Sequence, residues 1–228
     1  MCAFTGKTLL ALQFLKRRIT ESSPYIAQNL DKKCVFVHVP KCAGISIEES
    51  IFDGHKVGHH PVRQYKQYSP YRFWKYFVFT FVRNPISRFE SAFSFLKNGG
   101  RNPADLRWAE DNLKNIDTAD EMVKYMRKSP VLKRKVKKWQ HFRPQTWYLT
   151  DNSGGLPLDY IGRVETIQDD FEEICRRIGI DRRLPHKNKS SKSEADLLSN
   201  DRNIAFLREK VYERDIKMLG YESANETT

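Results

Sequence analysis

Twice within the first hundred residues, a short run of β-branched and aromatic side chains stops at a turn and passes straight into residues spaced for a helix. The first run, Cys34 to Val39 (CVFVHV), is bounded by Pro40. The chain then turns over Pro40 to Gly44 and resumes with apolar residues at helical spacing from Ile45 to Phe52. The second run, Tyr76 to Val82 (YFVFTFV), ends at Arg83, where Asn84 supplies an N-cap and Pro85 a first-turn proline for a helix reaching about Lys97. Apolar runs without polar alternation are strands buried on both faces, and strands alternating with helices argue a parallel sheet covered on both sides. The expected fold class is therefore α/β.

The rest of the chain extends the pattern. After Asn98-Gly99-Gly100 it reads as helical to about His141, with Thr118 and Glu121 spaced as a capping box and Pro130 as a break. A short strand near Tyr160 to Val164 precedes a helix from Ile167 to Ile178 closed by Gly179, with Thr166 and Asp169 expected at its cap. A polar loop from Pro185 to Ser193 leads to a last helix, about Asn200 to Leu219. With 228 residues and 39% hydrophobic content the chain can bury one good core, so a single domain is expected over 31–222. It follows a lead-in over 1–30, with an amphipathic helix at 5–20, and precedes a tail over 223–228.

Forty Lys and Arg against 28 Asp and Glu leave a formal charge of +12, which favours anionic partners without choosing among them. Cys2, Cys34, Cys42 and Cys175 show no paired spacing, so a reducing compartment fits better than a disulfide framework. The apolar stretch Thr8 to Leu15 is far shorter than the roughly 20 residues of a spanning helix. With no signal peptide evident either, a cytoplasmic location and no membrane span are expected.

Two segments carry chemistry. In HVPKCAGIS, residues 38 to 46, a buried strand runs into a Pro-Lys-x-x-Gly turn that opens a helix; backbone N–H groups converge there and Lys41 adds a full charge. A phosphate or sulfate suits such a turn, although a solvated surface lysine gives the same five letters. In FVRNPISRFESAF, residues 81 to 93, Arg83 stands at a strand end, and Ser87 and Ser91 share one face of the following helix. An arginine plus a helical hydroxyl can form a second phosphate site. The plain alternative makes Arg88 a surface ion pair and Ser91 a packing residue. Gly6-Lys7-Thr8 does not fit the end of a Walker A loop, since Met1 stands where that pattern needs its first glycine.

Together these segments resemble the 5'-phosphosulfate loop and the 3'-phosphate motif (Arg-Asp/Asn-Pro-x-x-Arg-x-x-Ser) of carbohydrate sulfotransferases, sulfotransferase family 2. HFRPQTWYL, IGRVETIQDDFEEICRRIGI, LPHKNKSS and RDIKMLGY resemble that family in the same order, so the resemblance covers roughly residues 33 to 221. It implies a P-loop-kinase-like parallel sheet with the nucleotide at the carboxyl ends of the strands. It also implies 3'-phosphoadenosine 5'-phosphosulfate as co-substrate, no metal, and a hydroxyl acceptor on a glycan or glycoconjugate. Lys41, Cys42, Ala43, Gly44, Ile45 and Ser46 would surround the 5'-phosphosulfate, Arg83 and Ser91 would hold the 3'-phosphate, and Lys187, Asn188 and Ser190 would fold over the nucleotide. Cys42 and Ile45 replace the Thr or Ser often found in the loop, and Asn84 replaces the commoner Asp. Arg163, at a strand end, is placed either on the nucleotide or in an internal ion pair.

Within GHKVGHHPVRQY, residues 54 to 65, the family's catalytic histidine aligns with His59, with His60 its neighbour. A neutral imidazole can accept a hydroxyl proton at physiological pH. A zinc site built from His55, His59 and His60 competes for the same cluster, but Gly54, Gly58 and Pro61 oppose the helix that its spacing needs. Lys133, Arg134, Lys135, Lys137 and Lys138 crowd a stretch ending at Trp139, which is either a solvated face or a surface for an anionic chain. The rival functions are an ATP-dependent small-molecule kinase of similar fold and a non-catalytic binder of polyanions or nucleic acid; the latter leaves the order of the two phosphate segments unexplained.

Overall fold

A computed structural model describes residues 23–184 and 193–222. The expected helix over 5–20, the tail over 223–228, and Lys187, Asn188 and Ser190 lie outside the described residues. The sheet has three parallel strands, β1 (Cys34–Phe36), β2 (Phe77–Val82) and β3 (Tyr160–Arg163), in the order β1-β2-β3. Register runs from Cys34 opposite Phe77 to Val82 opposite Arg163. As the middle strand, β2 is paired along both edges and buried almost throughout, which is why its sequence lacks polar alternation. Its one polar side chain, Thr80, donates to the Val37 carbonyl at 2.7 Å, so even this hydroxyl serves the sheet. β1 is shorter than the expected run to Val39, because beyond Val37, whose N–H still reaches Phe79 O, the chain bends into the turn.

Each strand leads from its carboxyl end into a helix: α2 (Gly44–Ile51), α5 (Pro85–Lys97) and α10 (Ile167–Ile178). Asn84 caps α5 by accepting from the N–H groups of Ile86 and Ser87, and Gly179 closes α10 in the left-handed conformation. The expected Thr166–Asp169 cap is not formed. Asp170 takes that place, accepting from the Thr166 hydroxyl at 2.6 Å and from the Arg163 N–H at 2.9 Å.

Short helices without a clear apolar period fill the connections: α1 (Ala27–Lys32), α3 (Val62–Tyr68), α4 (Pro70–Lys75) and α9 (Gln145–Leu149). The stretch from 98 to 141 is three helices: α6 (Pro103–Leu113), α7 (Ala119–Lys128) and α8 (Pro130–Lys138). The Thr118–Glu121 capping box opens α7 as expected. The last helix is broken into α11 (Asp201–Phe206), a π-turn over Leu207–Val211 and α12 (Glu213–Met218), the π-turn closing through Tyr212 N–H to Leu207 O at 2.8 Å.

Two apolar clusters result. One surrounds the sheet with Phe36, Phe79, Phe81, Ile47 and Phe171; the other packs Phe89, Phe93, Met122, Phe142 and Leu207 among the helices. Helix α5 carries the second cluster on its buried face and starts at the end of β2, so it joins the two.

Candidate active site

The turn after β1 holds two non-glycine residues, Lys41 (φ 70°) and Ala43 (φ 58°), in the left-handed region. Each such residue costs about 1–2 kcal/mol unless its surroundings compensate. Left-handed residues on either side of Cys42 turn successive N–H groups toward a concavity suited to an anion, at the start of α2. Gly44 is required there for space: a Cβ at this position would lie 1.8 Å from His38 Nε2.

His38 is buried, with Nδ1 3.0 Å from Glu48 Oε1, and the same oxygen accepts the Val57 N–H at 3.0 Å. Burial raises the Glu48 pKa, but the hydrogen bond and charge of His38 and the Val57 N–H outweigh it, so the carboxylate is held below its ordinary range. The His38 carbonyl lies 3.1 Å from His59 Nδ1. A carbonyl can only accept, so Nδ1 carries the proton and the His59 Nε2 lone pair is free. His59 is exposed as a residue, yet its ring packs edge-on against His38, the centroids 4.3 Å apart. Desolvation of the ring, then the neighbouring His38, lowers the His59 pKa below the usual imidazole value. A neutral imidazole with one free lone pair can take a proton.

His55 Nδ1 bonds Phe52 O, whereas His60 Nδ1 bonds Gln64. These two histidines and His59 therefore turn to separate partners, and among the described residues no three His, Cys, Asp or Glu side chains form a metal-binding group.

The second segment is tied to the first by Arg88. This side chain is fully buried, where the surface alternative placed an exposed ion pair; Nε donates to Pro40 O at 2.8 Å and Nη1 to Arg143 O at 2.9 Å. These two bonds to loop carbonyls fix the turn after β1 against α5, while Nη2 is buried without a hydrogen-bond partner among the described residues. Gln145 makes a second tie: Nε2 donates to Arg83 O, while Oε1 accepts from the Arg83 N–H at 3.0 Å and from the Cys42 thiol at 3.3 Å. Asp215, fully buried in α12, accepts from the N–H groups of Gln145 and Thr146 and from the Thr146 hydroxyl. These three bonds give HFRPQTWYL and RDIKMLGY a shared purpose that was not legible from either segment alone.

Lys41 Nζ lies 4.0 Å from the centroid of the Phe95 ring. Burial, then Arg101, Arg83 and Arg88, lower its pKa to about 8. Four cations crowd one place, and an anion bound there would relieve their repulsion. Burial raises the Cys42 pKa to about 11, so its thiol stays protonated. Ser46 and Ser91 are half-buried on α2 and α5. Arg163 forms no ion pair among the described residues: Nη2 donates to Leu219 O at 2.7 Å and the guanidinium stacks on Tyr221. Its neighbour Glu165 accepts the Asn84 N–H at 2.7 Å, joining the loops after β2 and β3.

A further pair went unread in the sequence. His141 Nε2 donates to Asp105 Oδ1 at 2.9 Å, His141 packs on Phe95, and its Nδ1 is buried without a hydrogen-bond partner among the described residues. Burial lowers its pKa to about 4 despite Asp105. The spacing of 36 residues between the two carries no local signal.

A family model described as the sulfotransferase family matches residues 25–222. No curated protein and no solved structure matches the chain significantly.

Proposed function

As the chain belongs to the sulfotransferase family, a family of sulfuryl transferases, we propose that its donor is 3'-phosphoadenosine 5'-phosphosulfate and its acceptor a hydroxyl on a carbohydrate. The observation that carries this reading is that Arg88 and Gln145 lock the Lys41 turn and the Arg83 loop together at the carboxyl end of the sheet. A donor with a 5'-phosphosulfate and a separate 3'-phosphate needs two anion sites at a fixed spacing, as a P-loop-kinase-like sheet presents them. The Lys41–Ser46 turn suits the former, and Arg83 with Ser91 suits the latter.

In the proposed reaction His59 Nε2 accepts the proton of the acceptor hydroxyl as its oxygen bonds to sulfur. The bond between sulfur and the bridging phosphate oxygen breaks, and its electron pair stays on the departing bisphosphate. Lys41 and the turn N–H groups stabilise the charge that develops on that oxygen. The Nδ1 bond to His38 O keeps His59 in the tautomer this step uses. Cys42, with its raised pKa, contributes packing and a hydrogen bond rather than a nucleophile.

The test compares 3'-phosphoadenosine 5'-phosphate, AMP and ATP by calorimetry. The bisphosphate should bind far better than AMP, and Arg83→Ala should weaken it roughly tenfold or more, since charged hydrogen bonds are worth about 1.5–3 kcal/mol. AMP affinity should hardly change in that variant. Equal affinities for the bisphosphate and AMP would remove the 3'-phosphate site, and preference for ATP would favour a kinase.

A further inference from the structure

Two arginines stack on one tryptophan. Arg63 Cζ lies 4.2 Å and Arg143 Cζ 4.0 Å from the centroid of Trp147, whose residue is 38% exposed. Each guanidinium is anchored by a backbone carbonyl: Arg63 Nη1 donates to Trp147 O and Arg143 Nη2 to Lys138 O, both at 2.7 Å. Those anchors use a minority of the donors each side chain carries. Among the described residues neither guanidinium is paired with a carboxylate. Arg143 also depresses the pKa of Arg63, adding to the effect of Arg63's burial.

Holding two like charges against one indole is unfavourable unless something offsets the repulsion. A bound anion would add attractions that offset this repulsion, and the guanidinium fork matches carboxylate and sulfate geometry. The location is specific: Arg63 follows His59 by four residues in α3, and Arg143 O is the acceptor for Arg88, which also holds Pro40. The anchor Lys138 O ends α8, whose last turn carries Lys135, Lys137 and Lys138. None of the three residues falls in the donor segments.

We propose that Arg63, Arg143 and Trp147 form a subsite for a carboxylate or sulfate group of an acidic saccharide, on a sugar unit next to the one that receives the sulfuryl group. This rests on the reading of the chain as a carbohydrate sulfotransferase. The subsite selects acidic over neutral acceptors and fixes the direction in which the saccharide crosses His59.

The experiment measures fluorescence anisotropy of end-labelled hexamers titrated with the full chain: oligogalacturonate, its methyl ester, sulfated maltohexaose and hexathymidylate. Arg63→Gln and Arg143→Gln are compared with wild type, and 3'-phosphoadenosine 5'-phosphate binding is measured on the same preparations. Wild type should bind oligogalacturonate or the sulfated hexamer at least about tenfold better than the ester, and each Gln variant should lose about that factor. Bisphosphate affinity should stay within about twofold, showing that the donor side is intact. The stronger of the two anionic sugars identifies carboxylate or sulfate as the group held. Equal binding of acid and ester, or Gln variants that bind like wild type, would overturn the subsite. Tighter binding of hexathymidylate, lost in the same variants, would assign the surface to nucleic acid instead. Loss of bisphosphate affinity alongside the sugar would move the arginines to the donor site. A wild type without preference for the bisphosphate over AMP would instead overturn the sulfotransferase reading, whatever the sugars do. Should one Gln variant melt early, the other decides.

Discussion

Around the sheet, polar side chains tie loops together over long stretches of sequence, whereas in the helical layer beyond α5 local caps set the helix ends. Gln145 reaches Arg83 and Cys42 across 62 and 103 residues, and Asp215 reaches Gln145 across 70. In the helical layer, Asn102, Thr118 and Ser129 each bond an N–H within three residues, and apolar packing does the rest. Long ties occur there too, from Asp105 to His141, from the Tyr212 hydroxyl to Phe142 O and from Asp120 to Ser199 and Asn203. The difference shows where geometry is over-determined: a turn with Lys41 and Ala43 in the left-handed region persists only if its surroundings hold it.

The largest effect that would sharpen this contrast lies in turnover. His59→Ala should lower it by about 10² to 10⁴-fold, the usual contribution of a positioned general base, with bisphosphate affinity near wild type. His141→Gln, in the helical layer, should cost much less, because its free nitrogen is buried. Steady-state kinetics on both variants decides; the reverse order would place the proton acceptor on the His141–Asp105 pair, and a large loss in His60→Ala alone would shift the assignment by one residue.

Next comes Gly44→Ala. Its Cβ would meet His38 Nε2 at 1.8 Å, so His38 must leave Glu48 or the turn must open. We expect a loss of about 1–3 kcal/mol in urea unfolding, the range for an overpacked core, and loss of bisphosphate binding in the same protein. Unchanged binding would mean that the turn is more pliable than its ties imply.

The pH dependence of stability joins the two regions, since each holds a histidine of lowered pKa. The sign follows from linkage: between the unfolded value near 6.5 and the folded value, the unfolded chain binds more protons, so stability falls as pH drops. For His141, whose folded pKa is about 4, the window runs from about 6.5 down to about 4. The decline should amount to about 1–3 kcal/mol, read from urea midpoints across that range. His141→Asn should flatten it more than His59→Ala, because His59 is exposed as a residue. The smallest expected effect is local: Thr118→Ala removes one side of the α7 capping box and should cost about 1 kcal/mol in the same assay, without touching nucleotide binding.

Much of the frame was legible because it obeys short-range rules. The boundaries of α5 and α10 follow from Asn84-Pro85 and from Gly179, and β2 from an unbroken apolar run. The helices α3 and α4 were missed because VRQYKQY and PYRFWK show no apolar period; their burial comes from a few residues such as Tyr65 and Phe73 packed on the sheet core. The final helix was read as one piece because Leu207–Val211 looks like any helical turn until the π hydrogen bond is seen. At the candidate site, Lys41, Arg83, Ser91 and His59 stood out by motif. Arg88 was weighed as a surface ion pair, since nothing local distinguishes a buried arginine bonded to carbonyls from a solvated one.

By itself, then, the sequence determined the alternation of strands and helices and the two turns proposed to bind anions, because each depends on neighbours a few residues away; the candidate histidine between them came from the family resemblance. Only the tertiary structure decided which groups hold those turns in place. The bond from buried Arg88 to Pro40 O, the double role of Gln145, the three bonds to Asp215 and the stacking of Arg63 on Trp147 all join residues far apart in the chain. Such contacts leave no local pattern, because a buried polar group needs a partner with the right geometry in space and is indifferent to where along the chain that partner lies.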